Sequence, residues 1–417
     1  MSPSTPPEWT LVLAGARTAL GEPASILSAA TSSTVDWERV LEIARQNRLE
    51  PLLYRGVRRL PEGGVPSGAL AALKEQYLAN AARNALLLRA LGRLLRALDA
   101  AGIPVIVLKG ACLAELAYPE RALRPMGDID LLVREEHVDA VEPALRGIGY
   151  RITHDAPTRE DLKVRHHHWI FQGDEPARGI PVEVHWSLHP PGTRFQAAIP
   201  AIWERAAPAR LAGAPALVLS PEDLLLHLIT HAARHRFNAG VLALCDLAAV
   251  IGSSGGSLNW TSLAPRANEW QSVAEAGVML ELARELLGAQ IPEATLAALR
   301  AAGAEALDAA LVRERILEEK GPLREAAEFQ LRWMSRSWPE RLAALRHVLA
   351  SEVFRPSASP GHRSAARVPF VLGRYVRWTW SLVRSRRAVA AIVGREARKS
   401  ALDSPARREV GNRPPSC

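Results

Sequence analysis

Two aspartates one residue apart, Asp128 and Asp130, stand at the head of an apolar run that continues Leu131-Leu132-Val133. In an extended strand, residues two apart share a face. Both carboxylates would then point one way and Ile129 the other. Carboxylates this close repel unless a cation sits between them. An oxygen-only set with room for water suits Mg²⁺, which takes one or two carboxylates together with substrate phosphates. A third acid, Glu183, interrupts the apolar segment Pro181-Val-Glu-Val-His-Trp186. A carboxylate inside such a strand is costly to bury without a partner, and a metal is a suitable one. Lys109 and Arg124 flank the acidic pair and could hold a triphosphate. Gly110 is expected to end the preceding strand, where backbone must approach phosphate closely. An Asp-x-Asp pair alone fits a turn or a strand end equally well. The surrounding residues favour the metal.

Other residues carry weaker signals. His166, His167 and His168 form a run, with His185 expected nearby on a partner strand. The run allows a zinc site or a substrate contact, yet no cysteine spacing supports zinc, and packing or exposure is the simpler reading. His227 and His231 lie four apart on an expected helix without the glutamate of a zinc-protease signature, so a core or interdomain pair is preferred. Asp246, in an apolar helix, reads as a paired core acid.

The elements that must position these residues follow from the pattern. Thr34 and Asp36 can cap a first helix. Leu87, Leu91, Leu94 and Leu98 make an apolar stripe at helical spacing. Short apolar runs at 103–108, 129–133 and 182–186 read as buried strands, with 168–172 as a fourth. Residues 111–117 and 135–145 read as helices between the first strands. Ser220, Pro221 and Asp223 form a strong helix start. A helix is expected from there to His235, another over 241–251, and further helices to about Leu349.

The chain has 417 residues, 48% of them apolar, which is enough for more than one core. Three widely spaced cysteines, Cys112, Cys245 and Cys417, fit a reducing cytosol. The Pro- and Ser-rich start does not read as a signal peptide, and no uncharged apolar stretch of about 20 residues occurs. The net charge of +8 is local: from Arg355 onward there are 14 Lys and Arg against 3 Asp and Glu, whereas the preceding 354 residues hold 38 against 41. Specific nucleic-acid binding by the body is therefore not expected. In the tail, Val371, Tyr375, Trp378 and Leu382 form a stripe opposite Arg374, Arg377, Arg384 and Arg387. This pattern suits docking on protein or peripheral contact with an anionic membrane.

The strand before Gly110, the Asp128-Ile-Asp130 pair and Glu183 resemble the polymerase-β-type nucleotidyltransferase superfamily. More closely, Leu108-Lys-Gly110, Tyr118-Pro119 and Arg124-Pro-Met-Gly-Asp-Ile-Asp130 are similar to an uncharacterised bacterial nucleotidyltransferase family. The later Glu-Val-His-Trp segment, His231 and Asp246 fit it too. The resemblance implies an α+β fold with a small mixed-sheet nucleotidyltransferase domain at 101–210. Helical regions at 1–100 and 211–350 flank it, and a basic, partly disordered tail covers 351–417. It also implies a cytoplasmic, Mg²⁺- (or Mn²⁺-)dependent enzyme moving a nucleoside monophosphate from a nucleoside triphosphate to a hydroxyl acceptor. Asp128, Asp130 and Glu183 match the catalytic metal triad, with Lys109, Gly110 and Arg124 at the nucleotide. The usual glycine–serine phosphate element is here Gly110-Ala111, which lacks the hydroxyl. Two alternatives stay open: a non-catalytic nucleotide-binding partner protein, and an antitoxin-like enzyme modifying protein.

Overall fold

The computed structural model describes residues 5–31, 35–153, 166–173, 180–303, 307 and 309–317. Four helices lead the chain: α1 (Pro7–Ala19), α2 (Ala24–Ala30), α3 (Trp37–Gln46) and α4 (Glu50–Val57). Asp36 caps α3 as its sequence suggests, its side chain accepting from the N–H groups of Glu38 and Arg39. Thr34 lies outside the described residues. The long helix α5 (Ser67–Ala100) follows, with Leu87, Leu91, Leu94 and Leu98 buried along one stripe.

Seven strands form one sheet: β1 (Ile106–Val107), β2 (Ile129–Leu132), β3 (Tyr150–Ile152), β4 (His168–Gly173), β5 (Pro181–His185), β6 (Ala207–Leu211) and β7 (Ala214–Val218), in the order β3-β4-β5-β2-β1-β7-β6. The sheet is mixed, as the expected α+β class requires: β2 runs parallel to β5 and β1 parallel to β7, while the other pairs are antiparallel. Helix α6 (Lys109–Leu116) connects β1 to β2, α7 (Val138–Arg146) leads from β2 towards β3, and α8 (Ile199–Arg205) precedes β6.

The two faces of the sheet bury different partners. Ile129, Leu131, Val182 and Val184 pack with the α5 stripe and with Val138, Val141 and Leu145 of α7. Ile106, Leu108 and Leu132 join a second core built from the N-terminal helices and the helices after Ser220. Strand alternation puts Asp130 on the Leu132 side, facing those helices. They are α9 (Pro221–Arg234), α10 (Val241–Ser253), α11 (Trp260–Glu269), α12 (Val273–Leu287), α13 (Glu293–Gly303) and α14 (Ala309–Leu317). Ser220 caps α9 by accepting from the Asp223 N–H. Among the described residues no helix is long and apolar enough to cross a membrane. The later helices, the expected linker near 357–364 and the basic stripe lie outside the described residues.

Candidate active site

Parallel pairing of β2 with β5 puts Asp130 directly opposite Glu183. His185, two residues on, shares the Glu183 face, and its Nε2 lies 3.2 Å from Asp130 Oδ1 and 3.3 Å from Glu183 Oε2. Lys109 approaches from the start of α6, its Nζ 2.8 Å from the same Asp130 oxygen. Burial alone would raise the Asp130 carboxyl, but Lys109 and His185 together hold it well below the usual range. Glu183 is held down by its hydrogen bond to His185, against burial and the nearby Asp130. Burial would lower His185, and its two carboxylate partners raise it instead. Asp128, just before β2 and half-buried, is pushed up by burial and by the charge of Asp130. Asp130 and Glu183 thus face each other across two strands, and Asp128, just ahead of β2, lies near enough to be influenced by both charges.

The expected phosphate-side residues are arranged differently from the reading of the sequence. The strand stops at Val107, and Lys109 takes a φ of 35° and opens α6. Such a left-handed backbone is strained for a non-glycine residue and marks functional sites. Gly110 is therefore helical and does not end the strand. A methyl group on its Cα would stand 2.8 Å from Arg124 Nη1, so the missing side chain makes room for that guanidinium. Arg124 is engaged in a buried fork, donating from Nε (3.2 Å) and Nη2 (2.9 Å) to the two oxygens of Asp246. The Tyr118 hydroxyl donates to the same carboxylate at 2.7 Å. Asp246 is the paired core acid its setting suggested.

Arg48 escaped sequence reasoning. It sits in the α3–α4 connection with φ 59°, and its guanidinium makes no hydrogen bond or ion pair with a described residue. Although the residue is exposed overall, partial desolvation and the charge of Arg124 lower it, while Asp128 and Asp246 offset part of that. Nothing local in the sequence ties residue 48 to residue 128, because the link is the turn between two helices.

Helix α9 closes the other side. Arg234 Nη1 lies 3.2 Å from His167 Nε2. A guanidinium can only donate, so that nitrogen accepts and the His167 proton sits on Nδ1, 3.4 Å from His168 Nδ1. One ring nitrogen each of His167, His168 and His185 lies within 4.8 Å of the others, while Arg234 occupies the Nε2 lone pair of His167. His227 is buried with both ring nitrogens unpartnered among the described residues. His231 lies 6.2 Å from it, ring to ring, and 4.6 Å from His235.

A family model described as uncharacterised nucleotidyltransferase matches residues 33–288. No curated protein matches the sequence. Among solved structures, the solution structure of the antibiotic-resistance factor ANT(2'')-Ia is similar at 14% identity, covering 47% of this chain and 96% of that one with a TM-score of 0.32. A crystal structure of ANT(2'')-Ia in complex with adenylyl-2''-tobramycin is similar at 15% identity, covering 44% and 97% with a TM-score of 0.31.

Proposed function

The chain belongs to the uncharacterised nucleotidyltransferase family, and from that premise we propose that it moves a nucleoside monophosphate from a nucleoside triphosphate to a hydroxyl acceptor, with Mg²⁺ (or Mn²⁺) held by Asp128, Asp130 and Glu183. The observation that carries this reading is the register of Asp130 against Glu183 on parallel neighbours, with Lys109 beside them. The donor set fits a hard divalent ion. Ligand oxygens of Asp130 and Glu183 and a nitrogen of His185 all lie within 4.8 Å of one another. Lys109 pairs with Asp130. When bound, the ion would supply Lewis acidity towards the phosphates.

The rest of the chemistry falls to the chain's own residues. The acceptor oxygen bonds to the α-phosphorus, the bond from that phosphorus to the β-phosphate oxygen breaks, and pyrophosphate leaves. The hydroxyl proton passes to Glu183, whose side chain is 26% exposed against 2% for Asp130. Lys109 and Arg48 offset charge on the departing pyrophosphate. Arg124, held on Asp246, with Gly110 leaving room for it, fixes the segment that delivers Asp128.

Melting curves test the assignment. Nucleoside triphosphate with Mg²⁺ should raise the melting temperature, because a ligand of the folded state alone stabilises it, by about 2.7 kcal/mol at a hundredfold excess over Kd. Glu183→Gln should stay folded and lose most of the Mg²⁺-dependent rise. A variant that is destabilised equally with and without Mg²⁺, yet still responds to the ion, would remove Glu183 from the site.

A further inference from the structure

A cavity of about 400 Å³ opens past the end of β5. Its walls come from the residues just before β4 and from the segment after His185. Trp186, the chain neighbour of His185, donates its N–H to the His167 carbonyl at 3.0 Å. The His167 and His185 rings lie 5.3 Å apart. The cavity therefore neighbours the carboxylate cluster through the contact of His167 with His185.

The lining has a definite chemistry. Trp186 and Phe195 contribute apolar ring surface, while Thr193 and Gln196 contribute neutral polar groups. His189 is buried, with its Nε2 3.0 Å from Thr230 Oγ1. The Thr230 hydroxyl directs its single hydrogen back to the Leu226 carbonyl at 2.8 Å, so towards His189 it can only accept. The imidazole proton is thereby fixed on Nε2, and Nδ1 keeps a lone pair. That Nδ1 is buried and has no partner among the described residues. Burial pushes this imidazole down to about 4, so it is neutral at pH 7. A buried acceptor without a donor is costly, and a small turn of the ring would bring it to a hydroxyl in the cavity. An ammonium group could donate as well, but it would need a carboxylate to offset its desolvation. Among the described residues the lining holds no acid, and Arg234 stands on His167 close by.

We propose that this cavity is the acceptor site, and that the acceptor is an uncharged polyhydroxy small molecule of carbohydrate type, with a ring face on Trp186 and Phe195 and a hydroxyl donating to His189 Nδ1. The volume is within the range of small-molecule sites. The inference rests on the nucleotidyltransferase reading above and names the substrate class of that same site.

The experiment uses the full chain with Mg²⁺ and nucleoside triphosphate labelled at the α-phosphate. A bacterial cell extract is separated by ion exchange into neutral, cationic and anionic small molecules and a protein fraction, and each is offered as acceptor. Label should enter the neutral fraction. His189→Leu should raise the KM for that fraction about tenfold, the effect of one lost hydrogen bond, with the KM for the nucleotide unchanged. Phe195→Ala serves the same purpose if the first variant does not fold. Label confined to the cationic, anionic or protein fraction would overturn the proposal. So would wild-type labelling by a folded His189→Leu, or no labelling at all by a protein whose melting temperature still rises with nucleotide and Mg²⁺. If that rise is itself absent, the nucleotidyltransferase reading falls, and this one with it.

Discussion

At the scale of single residues the site is a set of ionisable groups that burial has forced into fixed roles. Burial pushes His167, His189, His227 and His231 below the ordinary histidine range, His167 to about 2 and His189 to about 4. Above pH 6.5 both folded and unfolded chains hold these rings neutral, so they contribute no pH dependence there. Below it the unfolded chain binds protons that the folded one refuses, and stability falls by about 1.4 kcal/mol per pH unit for each such ring. His185 is raised and acts in the opposite sense, its contribution present at low pH and lost as the pH rises above 6.5. Urea unfolding midpoints should therefore peak near pH 6.5 and fall steeply towards pH 5, less steeply in His227→Leu. A flat profile between pH 7 and 5 would refute the buried, neutral state of these histidines. The three acids were legible because two follow strand alternation and the third interrupts an apolar run. The fork from Arg124 to Asp246 was not, since its partners stand 122 residues apart and no local pattern joins them.

At the scale of elements, the helix starts at Asp36 and Ser220 and the strands around 106, 129, 168 and 182 follow from capping chemistry and β-branched runs. The β6–β7 hairpin does not. Its strands are Ala-Pro-Ala-Arg-Leu and Ala-Pro-Ala-Leu-Val, poor in strand formers and each carrying a proline. The two-residue turn Ala212-Gly213, with φ 51° and 74°, together with the parallel pairing of Leu217 to Ile106, holds it in place. Tyr150–Ile152 was too short to register as a strand. Helix packing was equally hidden. A methyl group on Gly56 of α4 would meet the Gly15 carbonyl oxygen of α1 at 2.3 Å. Because backbone cannot yield as a side chain does, Gly56→Ala should cost about 1–3 kcal/mol or more by urea unfolding. Gly68→Ala, where the added methyl meets open space, is the control and should not destabilise. Equal effects of the two would contradict the close crossing of α1 and α4.

At the scale of the whole molecule, charge divides the chain: the positive excess begins at Arg355, and the preceding residues are near neutral. Every residue assigned to the site lies before α10 ends, within the span matched by the family model. A chain ending at Phe354 should thus keep the nucleotide- and Mg²⁺-dependent rise in melting temperature, while losing any binding to anionic vesicles or to a protein partner. A soluble truncated protein without that rise would show that the basic segment takes part in nucleotide binding.

Pyrophosphate release from nucleoside triphosphate and Mg²⁺, compared between wild type and Asp128→Asn, decides whether these carboxylates perform nucleotidyl transfer. Asp128 is destabilised as a carboxylate by burial and by Asp130, so the neutral amide should leave the melting temperature unchanged or raised. Release by the wild type, with acceptor present, should fall about a hundredfold or more in the variant, the scale of removing one charge-stabilising group. Release by a folded Asp128→Asn at the wild-type rate, or none by the wild type with any acceptor fraction, would contradict it.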